Sequence, residues 1–331
     1  MNKSAKKLNL SIQEVEEASS RLLIRHGASE RIAQTISATL CKNERDGYAS
    51  HGVVRLTDYL EDIEKGAISP QKYPTFENIS PISAVIKGEY CFGILSAELI
   101  AKVLKEKLSS QTIAAVALPN GHHIGRISSF ISPLVDAGAI VLGFSNYNGL
   151  GTKVIGWDSD KALFSTNPLL IATPTSSRPI IFDMSTSTVS EGRIRTAWLN
   201  HENVPPGWLV NKEWEEIINP EYFYETPMKA FLAPLGGYKG FGLSLMVEIL
   251  SGILSGGSHV GAAAKFGGNS ATFIAIRPEI FGISEKKFLE EMDNLLTKIE
   301  TEYPHIHIPG WKKENKSLQL NVSLWEWILN T

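Results

Sequence analysis

Pro234-Leu235-Gly236-Gly237-Tyr238-Lys239-Gly240-Phe241-Gly242 leads into the strongest apolar helical pattern of the chain, Phe241 to Leu254. Its glycine spacing decides which fold can follow. A glycine run ahead of a helix is where a dinucleotide-binding βα turn carries G-x-G-x-x-G. Gly240 and Gly242 supply the first pair, but Leu245 takes the third position; Gly149 and Gly151 fail the same way at Val154. G-x-x-x-x-G-K-[ST], H-E-x-x-H and G-x-S-x-G are absent as well. A dinucleotide bound by this chain is therefore not held through the usual first βα turn. The glycines still allow close backbone approach, and Lys239 at a helix start suits a phosphate, with tight helix packing as the alternative.

Working outward, the chain has 331 residues, 43% apolar and 20% charged, which predicts one large or two intimate domains and excludes disorder for the bulk. A net charge of −3 gives no electrostatic case for nucleic acid or an anionic membrane. Cys41 and Cys91 form neither a disulfide framework nor a C-x-x-C pair, and are expected as buried thiols in a reducing cytosol. Met1 to Lys7 is basic but leads into no apolar segment, so no signal peptide is expected. Leu243 to Leu254, interrupted by Glu248, is too short for a membrane span. The expectation is a soluble cytoplasmic protein.

The first hundred residues read as helices. Ser11-Ile12-Gln13-Glu14 is a capping box, followed by Val15, Ala18 and Leu22 at helical spacing, and Gly27 ends the helix. A second helix starts at Ser29, a third runs from about 50 to 65, and a fourth covers 94–108 beyond a linker at 70–81. Apolar runs at 113–118, 139–144, 169–173 and 180–182 predict buried strands, with a helix near 127–136 between them. Residues 198–230 read as an exposed excursion, and a helix at 284–303 precedes a strand-like tail. The pattern is mixed α/β, a helical N-terminal layer on a sheet-containing centre.

Three constellations carry chemistry besides the glycine run. His51, Arg55 and Tyr59 stand at i, i+4 and i+8, sharing one face if a single helix spans them, with Ser50 adjacent. An imidazole beside a guanidinium suits a carboxylate-bearing substrate, the Arg clamping and the His moving a proton. A capping histidine and a surface arginine form the plainer reading. Asn120-Gly121-His122-His123-Ile124-Gly125-Arg126 follows a predicted strand, as functional loops do. A metal there would need a third ligand that spacing does not supply. Ile180 to Thr188 ends a strand in Asp183 and four hydroxyl residues, suited to ribose and phosphate or to a plain capped loop.

In this order the residues resemble the non-Rossmann malate/L-lactate dehydrogenase family, whose relatives include ureidoglycolate, sulfolactate, 2,3-diketogulonate and piperideine- or pyrroline-2-carboxylate oxidoreductases. The motifs are Asp46 to Leu60 (DGYASHGVVRLTDYL), Gly121 to Gly125, Ser165-Thr166-Asn167-Pro168, Phe182 to Ser187 (FDMSTS), Pro205-Pro206-Gly207-Trp208 and Pro234 to Gly242. The resemblance implies NAD or NADP on a largely antiparallel sheet, and a homodimer. It implies that Asp183, Met184, Ser185, Thr186, Ser187, Tyr238, Lys239, Pro309, Gly310 and Trp311 contact the cofactor. His51 and His123 become the acid/base candidates, with Asp183 orienting a histidine or binding the dinucleotide. Arg55 becomes the carboxylate clamp, and Ser50, Tyr59 and Arg126 join it on the substrate side. Residues 1–118 with 304–331 would form a helical substrate and dimerisation domain, and 119–303 the NAD(P)-binding domain.

The chain departs from the family pattern at His122, Arg126, Tyr147, Val154 to Asp158 and Trp311. Lys312 and Lys313 after Trp311 suit a 2′-phosphate or, equally, a solvated pair in the tail. The implied reaction is hydride transfer between the nicotinamide and C2 of a small 2-oxo or 2-hydroxy acid. The alternative within the family is reduction of cyclic or N-alkyl imines of 2-oxo acids. A metal-dependent hydrolase built on His51, His122 and His123 and a catalytically dead ligand-binding relative are the readings from other classes.

Overall fold

Ser11 caps the first helix as its neighbours require: its hydroxyl accepts the Glu14 N–H at 3.2 Å, and Glu14 Oε2 accepts the Ser11 N–H at 2.9 Å. The computed structural model describes residues 7–311 and 318–331. The Met1 to Lys6 part of the basic leader and the expectation for Lys312 and Lys313 lie outside the described residues.

Strand Lys7–Leu10 (β1) precedes helices Ile12–Arg25 (α1), Glu30–Arg45 (α2) and Arg55–Glu64 (α3). Val15 and Leu22 of α1, Ile32, Ile36 and Leu40 of α2, and Leu56 and Tyr59 of α3 meet in one core. Strands Thr75–Ser80 (β2) and Ser83–Lys87 (β3), helix Gly93–Leu108 (α4), strand Ile113–Gly121 (β4), helix Ile127–Val135 (α5) and strand Ile140–Ser145 (β5) follow. Then come strands Val154–Ile155 (β6), Ala162–Phe164 (β7), Leu169–Thr173 (β8) and Ile180–Met184 (β9). Helix Glu191–Leu199 (α6), strands Leu209–Val210 (β10) and Glu216–Ile217 (β11), helix Glu221–Tyr224 (α7) and strand Phe231–Leu232 (β12) fill the next stretch. Helix Tyr238–Glu248 (α8) runs into a π-helical turn, Ile249–Ile253, ahead of strand Asn269–Ile276 (β13). Helix Glu285–Glu302 (α9), strand Leu318–Asn321 (β14) and helix Val322–Asn330 (α10) complete the order.

The main sheet has seven strands in the order β2-β3-β4-β13-β5-β8-β9, and only the β3–β4 pairing is parallel. That geometry accounts for the missing fingerprint: the sheet is almost wholly antiparallel, and its one βαβ unit, β3-α4-β4, carries no G-x-G-x-x-G at its first turn. Helices α4 and α5 cover one face, where Ile100, Leu104, Ile131 and Leu134 pack on Val116, Val141, Leu170 and Phe273. Each such side chain contributes roughly 1.5–3 kcal/mol when fully buried. A Cβ on Gly143 would stand 2.7 Å from the Phe273 ring, so that position of β5 has room for glycine only.

Four sequence expectations change. The third helix begins at Arg55, not near 50, because Ala49–His51 forms a separate 3-10 turn and extended Gly52 interrupts the path. His51, Arg55 and Tyr59 therefore do not share one helix. The 198–230 excursion holds part of a five-stranded sheet, β11-β10-β12-β6-β7, around Val154, Val204, Leu209 and Phe223. Its strands are two or three residues long, too short to show a period. The linker near 70–81 includes β2, a solvent-facing edge strand with no apolar alternation. The tail forms a helix after β14, capped by Asn321, whose Oδ1 accepts the Ser323 N–H at 2.9 Å. Residues 118 and 119 both lie in β4, and β2 and β3 join the main sheet with α4 packed on it. Among the described residues no helix is long and apolar enough to cross a membrane.

Candidate active site

The C-terminal end of α2 shapes the first wall of the site. Asn43 Nδ2 donates to His51 O at 3.0 Å, while the Glu44 carboxylate accepts the Val53 N–H. A Cβ on Gly52 would lie 2.2 Å from Glu44 Oε1, so this glycine lets the buried carboxylate pass beneath the turn. Burial pushes the Glu44 carboxyl up to about 7. Arg55 then opens α3 with its guanidinium already oriented: Nε donates to Ser50 O and Nη1 to Asp58 Oδ2, both at 2.7 Å.

Strand β4 delivers the second wall. His123 follows it on a loop that packs on Gly93 of α4, where a Cβ would stand 2.2 Å from His123 O. The His51 and His123 rings stack at 5.8 Å with 20° between planes. Ser50 Oγ lies 3.0 Å from His51 Nδ1, and Tyr59 Oη lies 3.0 Å from His123 Nδ1. Burial raises the Tyr59 phenol far above its ordinary range, so it keeps its proton. With that O–H assigned as the donor to Nδ1, the proton of neutral His123 is assigned to Nε2. Burial first, then the Arg55 charge, lowers both imidazoles: His51 to about 3, and His123 well below its usual value. Both are neutral at pH 7.

The two histidines and Arg55 line a cleft of about 230 Å³, with Asn146, Tyr147 and Glu191 on its other sides. A larger cleft of about 650 Å³ adjoins it, lined by Lys42, Arg126, Ser128, Arg178, Asp183 and Trp311 among others. The amino end of α5 stands at the junction: Ile127 faces the smaller cleft and Ser128, whose N–H Asp183 accepts, the larger. This larger space is of the size small-molecule and cofactor sites occupy, roughly 300–1,000 Å³. The cationic groups of this cleft suit a dinucleotide's pyrophosphate.

The remaining candidates divide. Asp183 faces the larger cleft, where Oδ2 accepts the Ser128 N–H at 2.9 Å; it touches no histidine, and burial holds its carboxyl above the usual range. Arg126, expected beside the substrate, lines the larger cleft instead. It is ion-paired with Asp46, bonded to Asn43 Oδ1 at 3.1 Å and lies 4.2 Å over the Tyr48 ring. Gly310 and Trp311 line the same cleft, and Pro309 O accepts the Ile181 N–H at 3.1 Å. Met184 pairs with Leu169 at the end of β9. The hydroxyls of Ser185, Thr186 and Ser187 are spent on nearby carbonyls: Ser187 O, Thr166 and Asn167 O, and Val189 O. Tyr238 and Lys239 begin α8 and line neither cleft. His122 turns away, its Nε2 2.8 Å from Asp62 Oδ2, so the three histidines do not converge on a metal.

Two features were not read from the sequence. Glu191 reaches the smaller cleft from the start of α6. Burial raises its carboxyl, but Lys153 at 3.3 Å, the Tyr224 hydroxyl at 2.8 Å and Arg55 outweigh that and hold it low. Buried Glu248 accepts from Asn146 Nδ2, Asn167 Nδ2 and the Val260 N–H, bracing the wall behind the histidines. A charge inside the apolar 243–254 run was its signal. Tyr147, singled out in sequence as a departure from the family pattern, lines the same smaller cleft.

The family model for malate/L-lactate dehydrogenases matches residues 10–322. The chain belongs to the malate/L-lactate dehydrogenase family. A malate dehydrogenase of Pyrococcus abyssi is 31% identical over 293 residues, covering 86% of this chain and 80% of that protein. A Δ1-pyrroline-2-carboxylate/Δ1-piperideine-2-carboxylate reductase of Pseudomonas putida is 30% identical over 285 residues, 81% of each chain. The crystal structure of a dehydrogenase from Sinorhizobium meliloti superposes with a TM-score of 0.86 over 98% of both chains at 22% identity, a likeness of fold.

Proposed function

We propose that this member of the family transfers a hydride between NAD or NADP and C2 of a small 2-oxo or 2-hydroxy acid. The observation that carries the reading is His123, backed by Tyr59, beside Arg55 in one small cleft. Arg55 binds the carboxylate; among the described residues its Nη2 carries no hydrogen bond and is free to complete a two-point contact. His123 gives a proton to the C2 oxygen in reduction and takes it back in oxidation, with His51 stacked against it as the second candidate. The charge on Arg55 is the next cause after burial that depresses both imidazoles, so a bound carboxylate that cancels it lifts them toward protonation. Substrate binding thus helps to load the acid.

Arg126, Ser128, Arg178, Asp183, Gly310 and Trp311 would hold the dinucleotide in the larger cleft. When bound, the nicotinamide supplies or accepts the hydride. The helical layer then brings Arg55 and Tyr59, and the sheet layer brings His123 and the cofactor contacts. Exposed Leu245, Met246, Ile253 and Leu254 on α8 and its π-helical turn support a homodimer joined there. Free, buried Cys41 and Cys91 support the cytoplasm.

Glu191 favours the second reading, reduction of an imine of a 2-oxo acid. An ionised carboxylate in the cleft stabilises a protonated C=N group as it would not a ketone. Parallel NAD(P)H-oxidation assays with pyruvate, oxaloacetate and piperideine-2-carboxylate decide between the two. Alanine at His123 is expected to lower kcat by about 10²–10⁴ with cofactor affinity retained. Full turnover in both His51→Ala and His123→Ala would overturn the mechanism.

A further inference from the structure

Tyr147 projects from a turn that is held on both sides. Asn146 Oδ1 accepts the Asn148 N–H at 3.2 Å, and Asn269 Nδ2 donates to Asn146 O at 2.7 Å. Asn148 Nδ2 donates to Gly121 O at 3.2 Å, and Ser270 Oγ donates to Asn148 Oδ1 at 2.7 Å. The ring occupies space that two glycines leave. A Cβ on Gly151 would lie 2.9 Å from its Cδ1, and a Cβ on Gly267 would lie 2.4 Å from its Oη. No hydrogen bond among the described residues holds the phenol oxygen, so this side chain is placed by its shape.

Its position separates two spaces. The ring lines the cleft that holds His51 and His123. Its hydroxyl end meets Gly267, which lines a second cavity of about 200 Å³ together with Tyr90, His122, Asn148 and Phe266. Tyr90 and Phe266 form an edge-to-face pair there at 6.3 Å. One side chain stands between the reacting groups and an aromatic-walled cavity.

We infer that Tyr147 sets the substrate range by closing the reaction cleft against this second cavity, which confines the acid to a short substituent at C3. The inference rests on the 2-oxo or imino acid reading above. Tyr147→Ala joins the two spaces and leaves an aromatic substituent somewhere to go. Pocket differences of a methylene or more change selectivity by roughly 10–200-fold.

The test measures kcat/KM for pyruvate and for phenylpyruvate in the wild type, Tyr147→Ala and Tyr147→Ser, with thermal midpoints recorded alongside. The phenylpyruvate-to-pyruvate ratio is expected to rise by at least about tenfold in both variants. An unchanged ratio overturns the inference. Gly267→Ala approaches the ring from the other side, and should lower pyruvate turnover by pushing Tyr147 into the cleft; a variant indifferent toward both acids counts against it. Calorimetric binding of phenylpyruvate separates the two levels. If no acid or imine is turned over, the reaction reading fails, yet tighter binding to Tyr147→Ala than to wild type still supports the partition, and equal binding removes it.

Discussion

Replacing Tyr59 by phenylalanine removes one oxygen and little else. The ring stays packed edge-to-face on Phe92 at 5.8 Å and on His122 at 5.9 Å, in a site that is 1% exposed. What disappears is the 3.0 Å contact to His123 Nδ1. A buried polar atom left without a partner costs about 1–3 kcal/mol. The hydroxyl serves His123 in both protonation states, donating to the neutral ring and accepting from the charged one. Its loss therefore affects the ground state and the proton-transfer step. At 1.36 kcal/mol per tenfold, kcat should fall by about 5- to 150-fold, with a stability loss of the same order. Single-turnover hydride transfer gives the first number and urea unfolding the second. Nitrogen-15 shifts of His123 should show the Nε2–H tautomer giving way to a mixture. A variant with wild-type kcat and an unchanged tautomer would refute the role assigned to Tyr59.

Arg55→Lys exchanges a fork spanning Ser50 O and Asp58 for a point charge, so kcat/KM should fall by roughly 10–100-fold while the calorimetric affinity for NAD(P)H holds; an undiminished kcat/KM would remove the clamp. Binding of oxamate to the cofactor-loaded enzyme near pH 6.5 should take up protons, because the free-enzyme imidazoles are held below their ordinary value and the ligand raises them. Affinity then weakens as pH rises, and calorimetry in buffers of different ionisation enthalpy that finds zero or negative uptake contradicts this. Glu248→Ala strips an acceptor from two buried amides and the part-buried Val260 N–H and should cost about 1–3 kcal/mol in urea unfolding. Met246→Glu with Ile253→Glu should give monomers by light scattering, and an unaltered mass would move the interface elsewhere.

The long periodic helices α1, α2 and α4 and strands β4, β5, β8 and β9 were legible because each buries a face many residues long. The short strands β6, β7, β10, β11 and β12 were not, since their order comes from pairing with distant segments. Mixed α/β architecture followed from the pattern of elements, and the antiparallel sheet from the family resemblance alone, while the hairpin of β2 and β3 carried too little apolar signal to be seen. In the site, the grouping of His51, Arg55, Tyr59 and His123 was visible, but for a partly wrong reason: Gly52 breaks the presumed helix and tertiary packing restores the juxtaposition. His122 and His123 are alike in sequence, and only the chain path after β4 turns one toward Asp62 and the other into the cleft. The FDMSTS hydroxyls look free in sequence because the carbonyls that absorb them include Thr166 and Asn167, about twenty positions away. Glu191 and Tyr147 acquire meaning only through partners on other elements.

The sharpest check follows the hydride itself. NADH or NADPH carrying deuterium at both C4 positions of the nicotinamide, incubated with the enzyme and pyruvate, oxaloacetate or piperideine-2-carboxylate, should yield a 2-hydroxy or amino acid carrying deuterium at C2, one mass unit heavier by mass spectrometry. A product without that label, or no product from any of these acids, would contradict hydride delivery to C2 in this cleft.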